Sequence, residues 1–220
     1  MILRSFLFCL LLIPCQHVGA NETLPVSIAV SEIPYVLSTE PDKVGDYNRL
    51  LDRIADIEVF VVPPARAERL FDRGEVDCLF PASTTTMDVP FALIQSETVT
   101  AVTAYLFSLK SYQSVEQFLG RAIALRRGFS FGKIRQNYPM KFVELESEAR
   151  AIQFLLRGRV EAVIGYALDV ENAIKELKVK PLYFNPSLPL YTAYEAFVCR
   201  DDSRNREFVE RINPIIKAFE

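Results

Sequence analysis

The chain has no tryptophan and a single histidine, His17, which lies in a segment typical of a secretory signal peptide. Arg4 gives this segment a positive start, residues 6–13 form an apolar run, and residues 18–20 fit a small-residue cleavage site. The pattern predicts an exported protein whose leader, residues 1–20, is removed after Ala20. The remaining chain would contain no histidine, which excludes a Ser–His–Asp triad, a Cys–His pair and a histidine-ligated zinc ion.

Long apolar segments and an excess of positive charge are also missing. The apolar run in the leader is too short to span a membrane as a helix, and no later segment approaches the length that would. The formal net charge is −3, and it becomes −4 when the leader is removed, because the leader carries Arg4 and no acidic residue. This balance gives no reason to expect nucleic-acid binding. The length suffices for one domain or two small lobes.

A helix, a glycine and a short strand are encoded twice. Residues 63–82 show apolar positions at helical spacing, then Gly74, where a left-handed residue would end the helix, and then a short apolar run. Residues 147–167 repeat this order, with Gly158 at the matching place. A unit used twice predicts two similar α/β lobes, since a solenoid needs three or more adjacent repeats.

Strand and helix patterns alternate along the rest of the chain, which predicts parallel sheets with helical crossovers. Predicted strands cover residues 24–30, 57–62, 76–80, 98–109, 121–125, 141–145 and 195–200. Predicted helices cover residues 45–55, 115–119, 169–177 and 205–219, with another beginning near residue 131.

Several of these segments together resemble the family 3 extracellular solute-binding proteins. The resemblance rests on Ile33-Pro34-Tyr35, the run from Pro63 to Asp77, the hydroxyl-rich residues 83–86 and the sequence GRVEAVI at 158–164. It implies the type II periplasmic-binding fold, with lobe 1 formed by residues 21–107 and 193–220, lobe 2 by residues 108–192, and a two-segment hinge. It also implies a periplasmic monomer that needs no cofactor or metal, performs no catalysis, and delivers a small molecule to a membrane permease or a sensor.

The resemblance places the ligand at the carboxyl ends of the strands, between the lobes. The turn at residues 128–130 is expected to lead into a helix N-terminus and so to favour a carboxylate, whereas Arg126 is expected to face solvent. The ligand-binding residues expected from these arguments are Glu32, Tyr35, Arg66, Ser83, Thr84, Arg127, Phe129, Ser130 and Tyr166.

Two departures from the family bear on the ligand. No arginine follows the hydroxyl-rich loop, where relatives that bind amino acids clamp the α-carboxylate, and Tyr166 stands where those relatives carry an aspartate for the α-ammonium. An ordinary aliphatic amino acid is therefore not expected. Arg66 and Arg127 could supply positive charge, and Tyr35, Phe129 and Tyr166 an aromatic wall, which predicts a carboxylate-bearing or aromatic solute.

Two alternatives to a transport protein remain open. Periplasmic cyclohexadienyl dehydratases share the implied fold, and here Glu32 or Glu195 would have to perform the acid–base chemistry. The second alternative is a ligand-sensing protein that acts as the partner of a sensor kinase.

Cys78 and Cys199 are the two cysteines outside the leader. In the family's sheet order their strands are neighbours, so the pair either forms a disulfide, which an oxidising compartment permits, or remains as two buried thiols.

Overall fold

The structure is a computed structural model that describes residues 24–129 and 131–219. The predicted leader and Ser130 lie outside the described residues. The strands are β1 Val26–Ser31, β2 Ile57–Val62, β3 Cys78–Ala82, β4 Leu93–Gln95, β5 Thr100–Phe107, β6 Ala122–Arg126, β7 Lys141–Leu145, β8 Ala162–Tyr166 and β9 Tyr191–Arg200. The helices are α1 Asp46–Leu51, α2 Pro64–Asp72, α3 Ile134–Asn137, α4 Glu148–Leu156, α5 Ala167–Leu177 and α6 Ser203–Lys217, with 3-10 turns at Thr84–Thr86 and Val115–Phe118.

The repeated unit folds as predicted in both places. Helix α2 is followed by Gly74 with φ 72° and then by β3, and helix α4 is followed by Gly158 with φ 65° and then by β8. Both glycines adopt the left-handed conformation, which a residue with a Cβ reaches only at a cost. Short strand β4 is the one strand in the described ranges that the sequence patterns missed.

Strand β9 joins two halves of one continuous strand path, whose order is β2-β1-β3-β9-β5-β8-β6-β7 with β4 beside β9. Residues 191–195 of β9 pair with β5, whereas residues 196–200 pair with β3 and β4. We call β1–β4 with α1, α2 and α6 the first half, and β5–β8 with α3–α5 the second half. Each half has its own buried apolar clusters, so each is a packed α/β layer.

The strand pairing does not test the predicted lobe boundaries. Strand β5 pairs with β8 and β9 in the second half, although the predicted boundary at 107/108 assigns it to the first lobe. An apolar strand pattern does not say which sheet a strand will join, because either sheet can bury it. The lobe boundaries at 107/108 and 192/193 therefore stay a prediction.

Cys78 and Cys199 form a disulfide across the first half. They are direct partners in the β3–β9 ladder, with their Cα atoms 4.0 Å apart, and both are fully buried. No helix within the described ranges is long and apolar enough to cross a lipid bilayer.

Candidate functional site

The two halves touch each other on both sides of the strands that connect them. The Arg126 Nη2 atom at the end of β6 donates a hydrogen bond to the backbone oxygen of Glu32, at 2.7 Å. Gly128 packs so closely on helix α2 that an added Cβ would lie 2.3 Å from the Ala65 nitrogen. At the other edge, Lys43 Nζ lies 3.7 Å from Glu176 Oε1. The two halves are therefore in direct contact at three places.

Three cavities lie between the halves. The strand-end cavity, about 190 Å³, is bounded by the ends of β1, β3 and β8, and Ser31, Ser83, Phe129, Tyr166 and Glu195 line it. The hinge cavity, about 880 Å³, is bounded by Val99, by residues 100–103 of β5, and by Tyr35, Tyr47, Tyr166, Asp169 and Glu195. The inner pocket, about 40 Å³, is bounded by Tyr35, Glu148, Asp169 and Glu176. Tyr166 and Glu195 line both larger cavities and so stand between them.

Four of the expected ligand-binding residues line these cavities. Ser83 and Phe129 face the strand-end cavity, Tyr35 the hinge cavity and the inner pocket, and Tyr166 both larger cavities. Tyr35 has φ 66°, an uncommon conformation for a tyrosine, and its side chain is partly exposed. The backbone thus holds this ring at the boundary between the halves.

The other expected residues are placed differently. Glu32 makes its contact with the second half through its backbone oxygen, while its Oε1 atom accepts a hydrogen bond from the Ser38 hydroxyl at 3.3 Å. The Thr84 hydroxyl donates to Gln95 at 2.9 Å, and Arg66 is exposed on α2. None of these three side chains is among those lining the three cavities.

The two arginines at the end of β6 are interchanged relative to the prediction. Arg126, expected in solvent, has a side chain only 7% exposed and pairs with Glu148 at 3.2 Å. Arg127, expected in the cleft, is 61% exposed and lies 3.7 Å from Glu144. Strand periodicity predicts correctly that neighbours point in opposite directions, but it does not say which direction is the inner one.

The predicted helix N-terminus beside the 128–130 turn is also wrong. Helix α3 begins only at Ile134 and has four residues, while Phe131 and Gly132 have φ values of 47° and 60°. Left-handed residues cannot continue a right-handed helix, so they delay its start. The anion site inferred from that N-terminus therefore lacks its physical basis.

A group of carboxylates and phenols at the junction of the halves carries the strongest electrostatic perturbation. Glu195 of β9 accepts a hydrogen bond from the Tyr47 hydroxyl of α1. Burial raises the pKa of the Glu195 carboxyl to about 7, although the bond from Tyr47 acts in the opposite direction. Burial, and then the negative charge of Glu195, also raise the pKa of the Tyr47 and Tyr166 phenols, which stay neutral.

Asp169, at the start of α5, belongs to the same group. Burial raises the pKa of its carboxyl well above the usual range, and the neighbouring carboxylates of Glu148 and Glu195 raise it further. Arg126 is the cation that opposes this rise. Sequence reasoning considered Glu195 only for the enzyme alternative and did not single out Asp169 or Glu148, because nothing local in the sequence brings β9, α4 and α5 together.

A measurable consequence is that stability should fall as the pH rises. The pKa of Glu195 is about 7 in the folded chain and 4.5 ordinarily, so between these values the folded state binds more protons than the unfolded state. The free energy of unfolding therefore decreases across that window, by up to about 3 kcal/mol for this group. Urea unfolding at pH 5 and pH 8 should show the decrease. The decrease should be smaller in Glu195→Gln, where Asp169 and Glu68, whose pKa values burial also raises, still contribute. It should be unchanged in Glu210→Gln, a change at an exposed position of α6; equal slopes in both variants would contradict the prediction.

No protein-family model and no curated protein sequence matches the chain. Solved structures do match it in fold. The GluR0 ligand-binding core in complex with L-glutamate superposes with a TM-score of 0.73 at 14% identity, covering 90% of this chain and 97% of that one. The amino acid ABC transporter substrate-binding protein AbpA from Streptococcus pneumoniae, bound to L-arginine, gives 0.69 at 16% identity, covering 89% and 88%.

A histidine kinase sensor domain with similarity to periplasmic binding proteins gives a TM-score of 0.67 at 16% identity, covering 88% of this chain and 89% of that one. Identities this low establish a shared fold and nothing finer. The chain thus has the α/β type II periplasmic-binding-protein fold, in agreement with the sequence-based expectation.

Proposed function

We propose that this chain is a periplasmic solute-binding protein that encloses a small molecule between its two halves and delivers it to an ABC-type permease. The observation that carries the proposal is the set of cavities lined by side chains from both halves. Ligands of open α/β sheets bind outside the carboxyl ends of the strands, and closing two halves around a solute removes it from water. We propose further that the protein acts as a monomer after removal of its leader.

The sequence-based ligand prediction is supported in its aromatic part only. Tyr35, Phe129 and Tyr166 supply aromatic walls. The carboxylate part depended on Arg66, Arg127 and a helix N-terminus, and each of these is placed away from the described cavity walls.

A role in sensing is a second candidate, favoured by the fold shared with a histidine kinase sensor domain. Ligand capture would be the same in both roles, and the difference would lie in the membrane partner. The two roles would be distinguished by testing whether the permease or the sensor kinase is retained on immobilised, ligand-loaded protein.

An enzyme on this fold is a third candidate, because a carboxyl group with a pKa near 7 beside a cavity suits proton transfer. The substrates proposed for this enzyme, prephenate and arogenate, carry carboxylates. No lysine or arginine is among the described residues that line the three cavities, so these carboxylates would have no cationic partner there. Incubation with either compound and measurement of product absorbance tests the candidate directly.

A thermal-shift screen against a solute library tests the binding proposal. A true ligand at a hundredfold excess over its dissociation constant should stabilise the chain by about 2.7 kcal/mol. Gly128→Ala should weaken its binding at least tenfold, because the added Cβ would collide with the Ala65 backbone and prevent the halves from closing.

Gly120→Ala is the matched control, since Gly120 has a similarly positive φ of 71° but no atom within 4 Å of an added Cβ. It should bind the ligand as the parent does. Small-angle scattering should show compaction on ligand addition in the parent and in Gly120→Ala, but not in Gly128→Ala. A library without a single stabilising solute, together with unchanged scattering, would overturn the proposal.

A further inference from the structure

The walls of all three cavities between the halves are acidic. The described residues that line the three cavities include no lysine or arginine. Six carboxylates line the two larger cavities: Asp46, Glu68, Asp72, Asp88, Asp169 and Glu195. Glu148, Asp169 and Glu176 line the inner pocket. Such walls repel an anion and attract a cation, and in a partly dehydrated cleft this preference is stronger than in water.

Glu148 adds an independent observation that points to a ligand. It is 6% exposed, and its Oε2 atom accepts a hydrogen bond from Arg126 at 3.2 Å. Its Oε1 atom is buried and has no hydrogen-bond partner in the described part of the chain. A buried acceptor without a donor is costly, and a carboxylate oxygen on a pocket wall is suited to receive one from a ligand.

The charges around Asp169 leave negative charge uncompensated. Glu148 on α4 and Glu195 on β9 face it, and Arg126 on β6 is the cation that acts on it. Glu176 on α5, which lines the same pocket, is 3.7 Å from Lys43 at the rim. Two carboxylates and one guanidinium therefore act on the buried carboxyl of Asp169, and the guanidinium is already paired with Glu148.

We propose that the ligand is an organic cation, an amine with a flat apolar body and no carboxylate, whose ammonium lies between Asp169 and Glu148. This inference rests on the proposed solute-binding function. The inner pocket, about 40 Å³, suits an ammonium group, and it shares Tyr35 and Asp169 with the hinge cavity. The hinge cavity can then take the body of the molecule.

The hinge cavity adds aromatic faces to its carboxylates. Tyr35, Tyr47, Tyr166 and Phe219 line it, and neutral phenol and phenyl rings stack on flat apolar groups and attract cations through their faces. A zwitterionic amino acid would leave its carboxylate without a cationic partner there, which disfavours it relative to the amine.

Calorimetry with compounds that differ at the charged end tests this assignment. The first pair of probes is the amine tyramine and its acidic counterpart 4-hydroxyphenylacetate, and the second pair is phenethylamine and phenylacetate. The zwitterion L-tyrosine is a fifth probe. Each compound is titrated into the disulfide-bonded chain at pH 8. We expect the amine of each pair to bind at least tenfold more tightly than its acid. Asp169→Asn and Glu148→Gln should each weaken tyramine binding at least tenfold, whereas Glu171→Gln, an exposed carboxylate on the same α5 helix, should change it less than twofold.

The possible results separate this inference from the broader function. Binding of the acids or of other library solutes without binding of the amines would overturn the amine assignment and leave solute binding intact. Amine binding that is equally strong in Asp169→Asn and in the parent would overturn the proposed position of the ammonium. Failure of the amines, the acids and the whole library would overturn both proposals.

Discussion

Arg126→Met should lower the free energy of unfolding by about 3–5 kcal/mol, whereas Arg127→Met at the next position should change it by less than about 0.5 kcal/mol. Arg126 is buried, pairs with Glu148 and holds the backbone oxygen of Glu32 in the opposite half. Its removal leaves the Glu148 carboxylate buried without a cation and facing Asp169. Arg127 is an exposed side chain beside Glu144, and surface pairs of this kind contribute little.

Urea unfolding of the two variants beside the parent measures this difference. The loss in Arg126→Met should be larger at pH 8 than at pH 5, because the raised pKa of Asp169 lets this carboxyl take up a proton at low pH, which relieves its repulsion with Glu148. Adding Glu148→Gln to Arg126→Met should restore part of the stability, since it removes the unpaired charge. Equal stability of Arg126→Met and Arg127→Met would show that the buried pair is not what holds this junction.

Reduction of the Cys78–Cys199 disulfide should lower the free energy of unfolding by about 3–5 kcal/mol. The bond joins positions separated by 121 residues, so it closes a long loop and removes many conformations from the unfolded chain. Both sulfurs are buried in the first half, and the reduced thiols would still pack there as small apolar groups. The expected loss is therefore mainly an effect on the unfolded state.

Guanidinium unfolding with and without dithiothreitol measures this effect. The Cys78→Ala, Cys199→Ala double variant should resemble the reduced parent and should not respond to dithiothreitol. Alkylation of the untreated, denatured chain should find no free thiol from this pair. Two alkylated cysteines, or a midpoint that dithiothreitol leaves unchanged, would contradict the expectation.

The local elements of this fold could be predicted because their causes are local. Strand β2 and strand β7 have the predicted bounds, 57–62 and 141–145, and the repeated helix–glycine–strand unit appears in both halves. Apolar spacing reports which face of an element is buried, and Gly74 and Gly158 mark the helix ends because the left-handed conformation there disfavours other residues. The combination of these elements was also enough to indicate the type II periplasmic-binding fold.

The candidate site was predicted less well, and for a consistent reason. Tyr35, Ser83, Phe129 and Tyr166 line the cavities, as expected of residues at strand ends that meet at one edge of a sheet, and their role in ligand binding stays a prediction. The predicted positions of Arg126 and Arg127 were interchanged, because the sequence of β6 does not say which of its two faces is covered by the first half of the molecule.

The amino-acid sequence alone determined most of the helices and strands, their α/β alternation, the duplicated unit and the absence of histidine from residues 21–220. Only the tertiary structure decided that β5 joins the second half, that Arg126 is buried, and that Glu148, Asp169 and Glu195 surround one cavity system. The physical reason is that helices and strands depend on spacing over a few residues. The charge and pKa of a cleft depend instead on distances between residues far apart in the chain, and folding is what sets those distances.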